Sequence, residues 1–193
     1  EAAGWTVRRF KRSGDDTSER ERLIEEARGV DVIFNGWNPP NYERWGERIP
    51  RYTRDIIATA EATGAMIVVP ANVYVYGDQP GPWTSATPHT PCSVKGQIRS
   101  EMEEDYRDAT LRGVQVLLLR AGDFIADDPS GTWFDLIIGK ELAAGKLAYP
   151  GPRDRTHAWT YLPDFARAAV ELCNRREMLP RFLDMNGPSF ALT

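Results

Sequence analysis

Hydrophobic positions along this chain follow two alternating patterns. Short apolar runs at 66–69 and 114–120 are rich in β-branched residues or leucine, and such runs are typical of strands buried on both faces of a sheet. Between these runs, apolar residues recur at intervals of three and four, which predicts amphipathic helices. The alternation of the two patterns predicts an α/β fold built on a doubly wound parallel sheet.

The pattern divides the chain into strands and helices. We predict strands at 5–10, 29–34, 66–69 and 114–120, and a short strand with a turn at 147–152. We predict helices at 17–28, 42–63, 95–112, 133–144 and 166–173. Thr17 or Ser18 would cap the first helix, Pro50 would kink the second and Gly64 would end it. The 193 residues have the length of a single domain.

Charge and composition narrow the classes of partner. The formal net charge is −4, and no basic stripe with interleaved aromatic residues is present, which argues against a nucleic acid. Cys92 and Cys173 match no metal-ligand spacing, so we expect no metal site and a cytoplasmic protein. No apolar run is long enough for a membrane span. His89 and His157 make no triad with Cys92 that the spacing supports, and we interpret both as structural or solvated.

Polar residues follow the predicted strand at 66–69 and recur in the next helix. The segment 71–77 reads Ala-Asn-Val-Tyr-Val-Tyr-Gly and leaves the strand at the carboxyl edge of the sheet, where ligands bind. Lys95, Arg99 and Glu103 are four residues apart and share one helix face. The two segments resemble the Ser-Ser-x-x-Val-Tyr-Gly strand end and the Tyr-x-x-x-Lys-x-x-x-Glu helix of the short-chain dehydrogenase/reductase superfamily, in its extended NAD-dependent epimerase/dehydratase branch.

The resemblance implies a Rossmann-like fold with an altered catalytic set. The family's Ser or Thr falls on Asn72, its Tyr on Lys95 and its Lys on Arg99. In the family, the Tyr transfers a proton at a substrate hydroxyl or carbonyl, and the Lys lowers the pKa of that Tyr and binds the nicotinamide ribose. In this chain, Asn72 could donate to a carbonyl oxygen, and Arg99 could bind ribose hydroxyls or a phosphate.

Lys95 has two interpretations. Beside Arg99 and buried under a cofactor, it would lose its proton more readily and could act as an acid or base, or form a Schiff base. Alternatively, Lys95 and Arg99 are ordinary surface cations, with Glu103 paired to Arg99. Tyr74 is a reserve candidate for the missing phenol, whereas Tyr76 occupies a position that the family uses for packing.

The resemblance also implies contacts with a nicotinamide dinucleotide. Arg12 and Ser13 follow the predicted strand at 5–10, where an acidic residue favours NAD and a basic one favours NADP. We therefore expect Arg12 to clamp a 2′-phosphate, with NADP as cofactor and NAD as the alternative; the loop could instead be solvated. The other expected contacts are Asn35, Gly36, Trp37, Pro70, Ala71, Lys95, Arg99, Ala121, Gly122 and Asp123. Of these, Trp37 could instead belong to the core.

The resemblance bears on how the chain is organised. Residues 124–163 and 180–193 would contribute to a small substrate-binding part, interleaved with the dinucleotide-binding domain. Asp164 would stand at the start of the helix predicted at 166–173. The chain starts at Glu1 without a methionine, and we interpret it as an internal part of a longer protein, preceded by a first strand, a glycine-rich turn and a first helix.

Three functions remain open from the sequence. The first is an NAD(P)-dependent oxidoreductase, epimerase or dehydratase that acts on a small carbonyl or hydroxyl substrate with a non-standard catalytic set. The second is a non-catalytic NAD(P)-binding sensor or regulator, which the loss of Tyr and Lys favours. The third is a scaffold without a cofactor, against which the polar Asn72, Lys95 and Arg99 argue. Helices 42–63 and 95–112 correspond to the pair through which family members often form a homodimer.

Overall fold

The computed structural model describes residues 4–14, 18–39, 43–152 and 154–192. In these ranges the regular helices and strands are α1 (Ser18–Glu26), β1 (Val32–Phe34), α2 (Trp45–Thr63), β2 (Met66–Ala71), α3 (Val94–Ala109), β3 (Val116–Arg120), β4 (Asp123–Ile125), β5 (His157–Tyr161), α4 (Leu162–Asn174), β6 (Phe182–Asn186) and β7 (Phe190–Leu192). Thr17, one of the two predicted helix caps, lies outside the described residues, as does Tyr42.

Two sheets form the framework. The larger has the strand order β1-β2-β3-β6, and all of its neighbouring strands are parallel. The smaller has the order β4-β5-β7, with β4 parallel and β7 antiparallel to β5. The larger sheet confirms the predicted α/β class. The smaller sheet was not predicted, because β4 and β7 have only three residues each and show no clear alternation.

The core lies on both faces of the larger sheet. Successive side chains of a strand point to opposite faces, so Ile67 and Val69 pack with residues of α1, α2 and α3. Met66 and Val68 point the other way and pack with Phe165 of α4. All four of these β2 side chains are buried, which confirms the strand predicted from the apolar run.

Helix ends follow the predicted signals. Gly64 has a left-handed backbone with φ of 76°, and its N–H donates to the carbonyl of Ala60 at 2.8 Å, which ends α2. Ser93 caps α3 by accepting from the N–H of Gly96 at 3.1 Å. Asp164 lies in the first turn of α4, as expected. None of the helices in the described part of the chain is long and apolar enough to cross a membrane.

The strand predicted at 5–10 is not formed. In the described chain, β1 is the outermost strand on its side and pairs only with β2, so the segment 5–10 has no strand beside it. Its apolar residues are used for packing instead. Trp5 packs on the α4 face and donates from Nε1 to Asn174 at 2.8 Å, while Phe10 packs on the opposite face. Apolar residues alone therefore do not make a strand without a paired neighbour.

The helix predicted at 133–144 and the strand predicted at 147–152 are also wrong. A single π-helical turn at Phe134–Ile138 and a 3₁₀ turn at Leu142–Ala144 replace the helix. Gly139 ends the π-helical turn by donating its N–H to the carbonyl of Phe134 at 2.7 Å. The carboxylate of Asp135 accepts from the backbone of Ser130 and Thr132, which holds the preceding loop. These local bonds compete with a regular helix.

Candidate functional site

The carboxyl edge of the larger sheet gathers most of the predicted site. Backbone bonds continue the ladder past the strand ends: Asn35 N–H donates to Val68 O at 2.8 Å, and Ala121 N–H donates to Ala71 O at 2.9 Å. Asn35, Ala71 and Ala121 therefore lie side by side where the parallel strands end. This is the edge at which α/β sheets bind ligands, and contacts of these three residues with a cofactor stay a prediction.

The segment after β2 packs directly against the start of α3. Asn72 Oδ1 accepts from the N–H of Tyr74 at 3.0 Å, which begins a 3₁₀ turn over Tyr74–Tyr76. A Cβ on Gly96 would lie 2.6 Å from the carbonyl oxygen of Tyr74, so only glycine allows this approach. The structure thus brings Asn72 and Tyr74 next to the first turn of α3, which carries Lys95, as the two motifs predicted.

Within α3, the three predicted charged residues differ in environment. Lys95 is exposed, whereas Arg99 is half-buried, with its guanidinium carbon 5.0 Å from the centre of the Trp45 ring. Glu103 is only 2% exposed and pairs with Arg120, so the alternative in which it belongs to an ordinary surface pair is wrong. The proton-transfer role of Lys95 stays a prediction.

A buried ion cluster centred on Arg120 was not predicted. Arg120 Nη2 donates to Glu103 at 2.7 Å and to Asp184 at 2.6 Å, and Arg120 Nη1 donates to the carbonyl oxygen of Asn72 at 2.8 Å. Burial raises the pKa of Glu103, and the hydrogen bonds from Arg120 oppose that shift. The cluster joins β3, β6, α3 and the segment after β2, so it fixes the backbone of Asn72.

The same cluster decides what could bind there. Ligand atoms of His89, Glu103 and Asp184 lie within 4.8 Å of one another, which could suit a metal ion. The Arg120 guanidinium already pairs with both carboxylates and holds them in a buried salt bridge, so we assign no metal ion to the cluster. Burial lowers the pKa of His89, and the nearby Arg120 charge adds to the shift. The His89 ring lies edge-on to Tyr76 at 5.8 Å, and its Nδ1 is 3.2 Å from Ser100 Oγ, which favours a structural role over the solvated alternative.

Tyr76 packs its ring against Arg120 of the buried ion cluster. Its ring lies 5.6 Å from that of Trp83 in a stacked arrangement and 5.1 Å from the Arg120 guanidinium carbon. Its hydroxyl donates to the carbonyl of Thr84 at 3.1 Å, and burial raises its pKa. These contacts confirm Tyr76 as a packing residue. Tyr74, the reserve phenol, is exposed.

Arg12 lies in an aromatic sandwich. Its guanidinium carbon is 4.7 Å from the Trp37 ring centre and 4.6 Å from that of Tyr52, and Nη1 binds Asp55 at 3.0 Å. Its side chain is 10% exposed, so the alternative of a solvated basic loop is wrong. Trp37 packs against the core, as its alternative interpretation held. Arg20 binds the other oxygen of Asp55 at 2.8 Å.

Ser13 faces the protein in this structure. Its hydroxyl and its N–H both donate to the carboxylate of Glu19, which also accepts from Arg22 at 2.8 Å. The Ser13 hydrogen bond, followed by that of Arg22, lowers the pKa of Glu19 to about 2. The Ser13 hydroxyl thus holds the start of α1, and its contact with a cofactor stays a prediction.

The Ser13–Glu19 contact predicts a specific dependence of stability on pH. The folded-state pKa of Glu19 is lowered, so its stabilising effect is present above pH 4.5 and is lost as the pH falls towards 2. We expect Ser13→Ala to raise the pKa of Glu19 and weaken this loss, measured by urea unfolding across that range and by carboxyl NMR. Ser85→Ala, at an exposed serine, is the control. An unchanged Glu19 titration in Ser13→Ala would contradict the assignment.

The remaining predicted cofactor residues surround the ends of β1, β2 and β3. Asn35 Nδ2 donates to the hydroxyl of Tyr106 at 2.9 Å, which fixes the turn before the exposed Gly36. Pro70 is half-buried in β2. Gly122 follows Ala121, and its N–H donates to Thr160 Oγ1 of β5 at 3.0 Å.

Asp123 lies where the two sheets meet and has a partner that the sequence did not reveal. Its Oδ2 is 2.7 Å from Nε2 of His157, and Nδ1 of the same ring is 3.2 Å from the hydroxyl of Tyr149. The sequence interpretation treated His157 as structural or solvated and did not consider Tyr149. The only sequence signal was the position of Asp123 just past a strand end, because the three residues are far apart in the chain.

Solved structures at low sequence identity share this architecture. A double mutant of the dTDP-glucose 4,6-dehydratase DesIV from Streptomyces venezuelae, with NAD bound, matches 90% of this chain at 19% identity with a TM-score of 0.71. A UDP-galactose 4-epimerase matches 89% of the chain at 21% identity with a TM-score of 0.64. A UDP-N-acetylglucosamine 4-epimerase from Bacillus cereus matches 90% at 15% identity with a TM-score of 0.65. The chain has the epimerase/dehydratase fold.

These matches define the extent of the likeness. The chain spans 57% of the dehydratase and 62% and 63% of the two epimerases. No protein-family model and no curated protein matches the sequence. The matches to solved structures confirm the fold that the resemblance predicted. The three matched enzymes are one dehydratase and two epimerases of sugar nucleotides.

The helix pair that would form a homodimer carries a polar surface. A shallow depression of about 290 Å³ lies between α2 and α3 and is lined mainly by charged residues, including Arg54, Glu61, Asp105 and Arg112. Arg112 binds Glu61 across it at 2.6 Å. The large apolar residues of α2 are buried in the core, so a homodimer through this pair stays a prediction.

Proposed function

We propose that this chain is part of a nicotinamide-dinucleotide-dependent enzyme of the epimerase/dehydratase type that acts on a hydroxyl or carbonyl carbon of a sugar nucleotide. The observation that carries the proposal is the carboxyl edge of the sheet, where Asn35, Asn72 and Ala121 follow the ends of β1, β2 and β3 in a fold shared with an NAD-bound dehydratase and a UDP-galactose 4-epimerase. In this fold class, that edge is where a dinucleotide lies.

The residues present fit a dinucleotide. Small residues at Gly36, Ala71, Ala121 and Gly122 place no bulky side chain at this edge, where a flat ligand would lie. Arg99 supplies a half-buried cation on α3, against the Trp45 ring, suited to ribose hydroxyls or a phosphate. When bound, the nicotinamide would accept or donate a hydride, and Asn72 would orient a substrate carbonyl through its amide.

For the cofactor we propose NADP, with the 2′-phosphate held at Arg12. Asp55 is shared by Arg12 and Arg20, so the three side chains together keep one surplus positive charge. Nη2 of Arg12 is buried and meets no hydrogen-bond acceptor among the described residues, which leaves one donor for a ligand oxygen. A phosphate oxygen would satisfy both the donor and the surplus charge.

Titration of the full-length protein with NADPH and NADH, followed by nicotinamide fluorescence, tests this proposal. We expect tighter binding of NADPH and a loss of about tenfold or more in NADPH affinity for Arg12→Gln, since a charge-assisted hydrogen bond contributes roughly 1.5–3 kcal/mol. NADH affinity should change little. Arg20→Gln, which removes the more exposed partner of Asp55, is the matched control. Equal affinities for the two dinucleotides would rule out the Arg12 clamp, and binding of neither would rule out both cofactors.

The second candidate is a dinucleotide-binding sensor without turnover. The observation in its favour is that Lys95, which stands at the position of the family's Tyr, is exposed and offers no buried acid or base. The two candidates differ in whether UDP- or dTDP-sugars are turned over at all, and Lys95→Ala then tests whether Lys95 takes part. An enzyme that uses Lys95 would lose turnover of UDP- or dTDP-sugars while it keeps dinucleotide binding, whereas a sensor would show binding with no turnover before or after the substitution.

A further inference from the structure

A chain of three hydrogen-bonded side chains lies beside the proposed cofactor edge. Asp123 and His157 are the first residues of β4 and β5, and Tyr149 comes from the loop before β5. A carboxylate only accepts hydrogen bonds, so the proton of the imidazole stands on Nε2 and is donated to Asp123. Nδ1 is then the acceptor for the Tyr149 hydroxyl. The Asp123 and His157 side chains are 33% and 28% exposed, so a ligand can reach this site.

The backbone holds this chain of residues in place. In the parallel pair, Asp123 lies opposite Trp159, which is two residues from His157 and on the same face. A Cβ on Gly122 would clash with the carbonyl of Ala158, so glycine lets the end of β3 approach β5. The Trp133 ring is stacked on the imidazole at 6.2 Å, and the Trp159 ring lies 4.5 Å from it. The imidazole therefore has one defined orientation.

We propose that Tyr149, activated by His157 and positioned through Asp123, is the proton-transfer group of this protein for a hydroxyl or carbonyl of the substrate. The inference rests on the proposed function and supplies a half-buried acid–base group that neither Arg99 nor the exposed Lys95 offers: an arginine cannot give up its proton near neutral pH, and the role of Lys95 stays a prediction. The arrangement is carboxylate, imidazole and hydroxyl in sequence, which is the order used to activate a hydroxyl oxygen.

The proton balance is complete with the residues present. When a substrate alcohol is oxidised, its O–H bond breaks and its proton passes to the Tyr149 oxygen; a bound nicotinamide would supply the acceptor for the hydride that leaves the carbon. The original phenol proton moves at the same time to Nδ1 of His157, and Asp123 stays ionised beside the imidazolium. Reduction of a carbonyl runs the same transfers in reverse.

Labelling of the full-length protein with an aryl sulfonyl fluoride, read by peptide mass spectrometry, tests the activation of Tyr149 without a cofactor. In this reaction the phenol oxygen displaces fluoride and its proton passes to His157. We expect Tyr149 to react about a hundredfold faster than in His157→Gln, the lower end of general-base effects. Tyr161, whose hydroxyl binds the carboxylate of Asp127 without an imidazole, is the internal control and should label at the same rate in both proteins.

Asp123 needs a readout of its own because it acts through His157. In Asp123→Asn, ¹⁵N NMR of the imidazole should show loss of the Nε2–H tautomer, with slower Tyr149 labelling. Equal Tyr149 rates with and without His157, or an unchanged tautomer in Asp123→Asn, would overturn the inference. Fast Tyr149 labelling in a protein that binds neither dinucleotide would instead overturn only the proposed function, so the two failures are distinguishable.

Discussion

Replacing Arg120 by methionine is expected to lower the free energy of unfolding by about 3–5 kcal/mol, the range for breaking a buried ion pair from one side. The Arg120 side chain is 1% exposed, and it pairs with Glu103 and Asp184, whose side chains are themselves buried. Without the guanidinium, two carboxylates are left in a desolvated position with no cation. Chemical denaturation of the variant and the wild type measures the effect.

The control for Arg120→Met is a second arginine in a surface pair. Arg112 binds Glu61 at 2.6 Å, but both side chains are largely in solvent, so Arg112→Met should cost about 0–1 kcal/mol. Replacing Glu103 and Asp184 by leucine in the Arg120→Met background should recover part of the loss, because no buried charge then remains. A cost for Arg120→Met as small as that for Arg112→Met would show that the cluster is solvated in solution.

Replacing Gly77 by alanine is expected to cost about 3–5 kcal/mol of unfolding free energy, from backbone strain together with overpacking. Gly77 has φ of 63° and ψ of −133°, a backbone region that residues with a side chain rarely adopt. Its added Cβ would also run into the carbonyl of Thr90, which is held in place because the Thr90 N–H donates to Val75 O at 2.9 Å. Thermal or urea unfolding measures the loss.

Gly64→Ala separates the two contributions at Gly77. Gly64 also has a positive φ, of 76°, but an added Cβ would meet nothing within 4 Å. This control should therefore cost only the left-handed backbone term, about 1–2 kcal/mol. If Gly77→Ala proved no worse than Gly64→Ala, the contact between the Tyr76 turn and the Thr90 loop would be looser than the structure shows.

These two sites matter for function because both hold the backbone that carries Asn72. Arg120 donates to the Asn72 carbonyl, and Gly77 ends the turn that the Asn72 side chain begins. The proposed carbonyl-orienting amide is thus fixed by residues that touch no ligand themselves. We infer that loss of either would weaken ligand orientation as well as stability.

The sequence predicted the parallel sheet and the helices that cover it because these depend on local patterns. The run at 66–69 is buried on both faces because it is continuously apolar, and Gly64 ends α2 because glycine tolerates a left-handed backbone. The motif spacing also placed Asn72 beside the start of α3. Where the pattern was weaker, as at 133–144, the local hydrogen bonds of Asp135 and Gly139 prevailed over helical periodicity.

Only the tertiary structure decided which charged and polar side chains meet. Arg120 binds partners 17 and 64 positions away along the chain, and Asp123 meets His157 at a separation of 34. Spacing along one helix or strand cannot reveal such pairs, because they form where different strand ends converge. The sequence by itself therefore determined the sheet and the edge at which a ligand would lie. The folded chain determined that the Arg12 guanidinium lies between two aromatic rings, that the Ser13 hydroxyl binds the Glu19 carboxylate, and that His157 connects Asp123 to Tyr149.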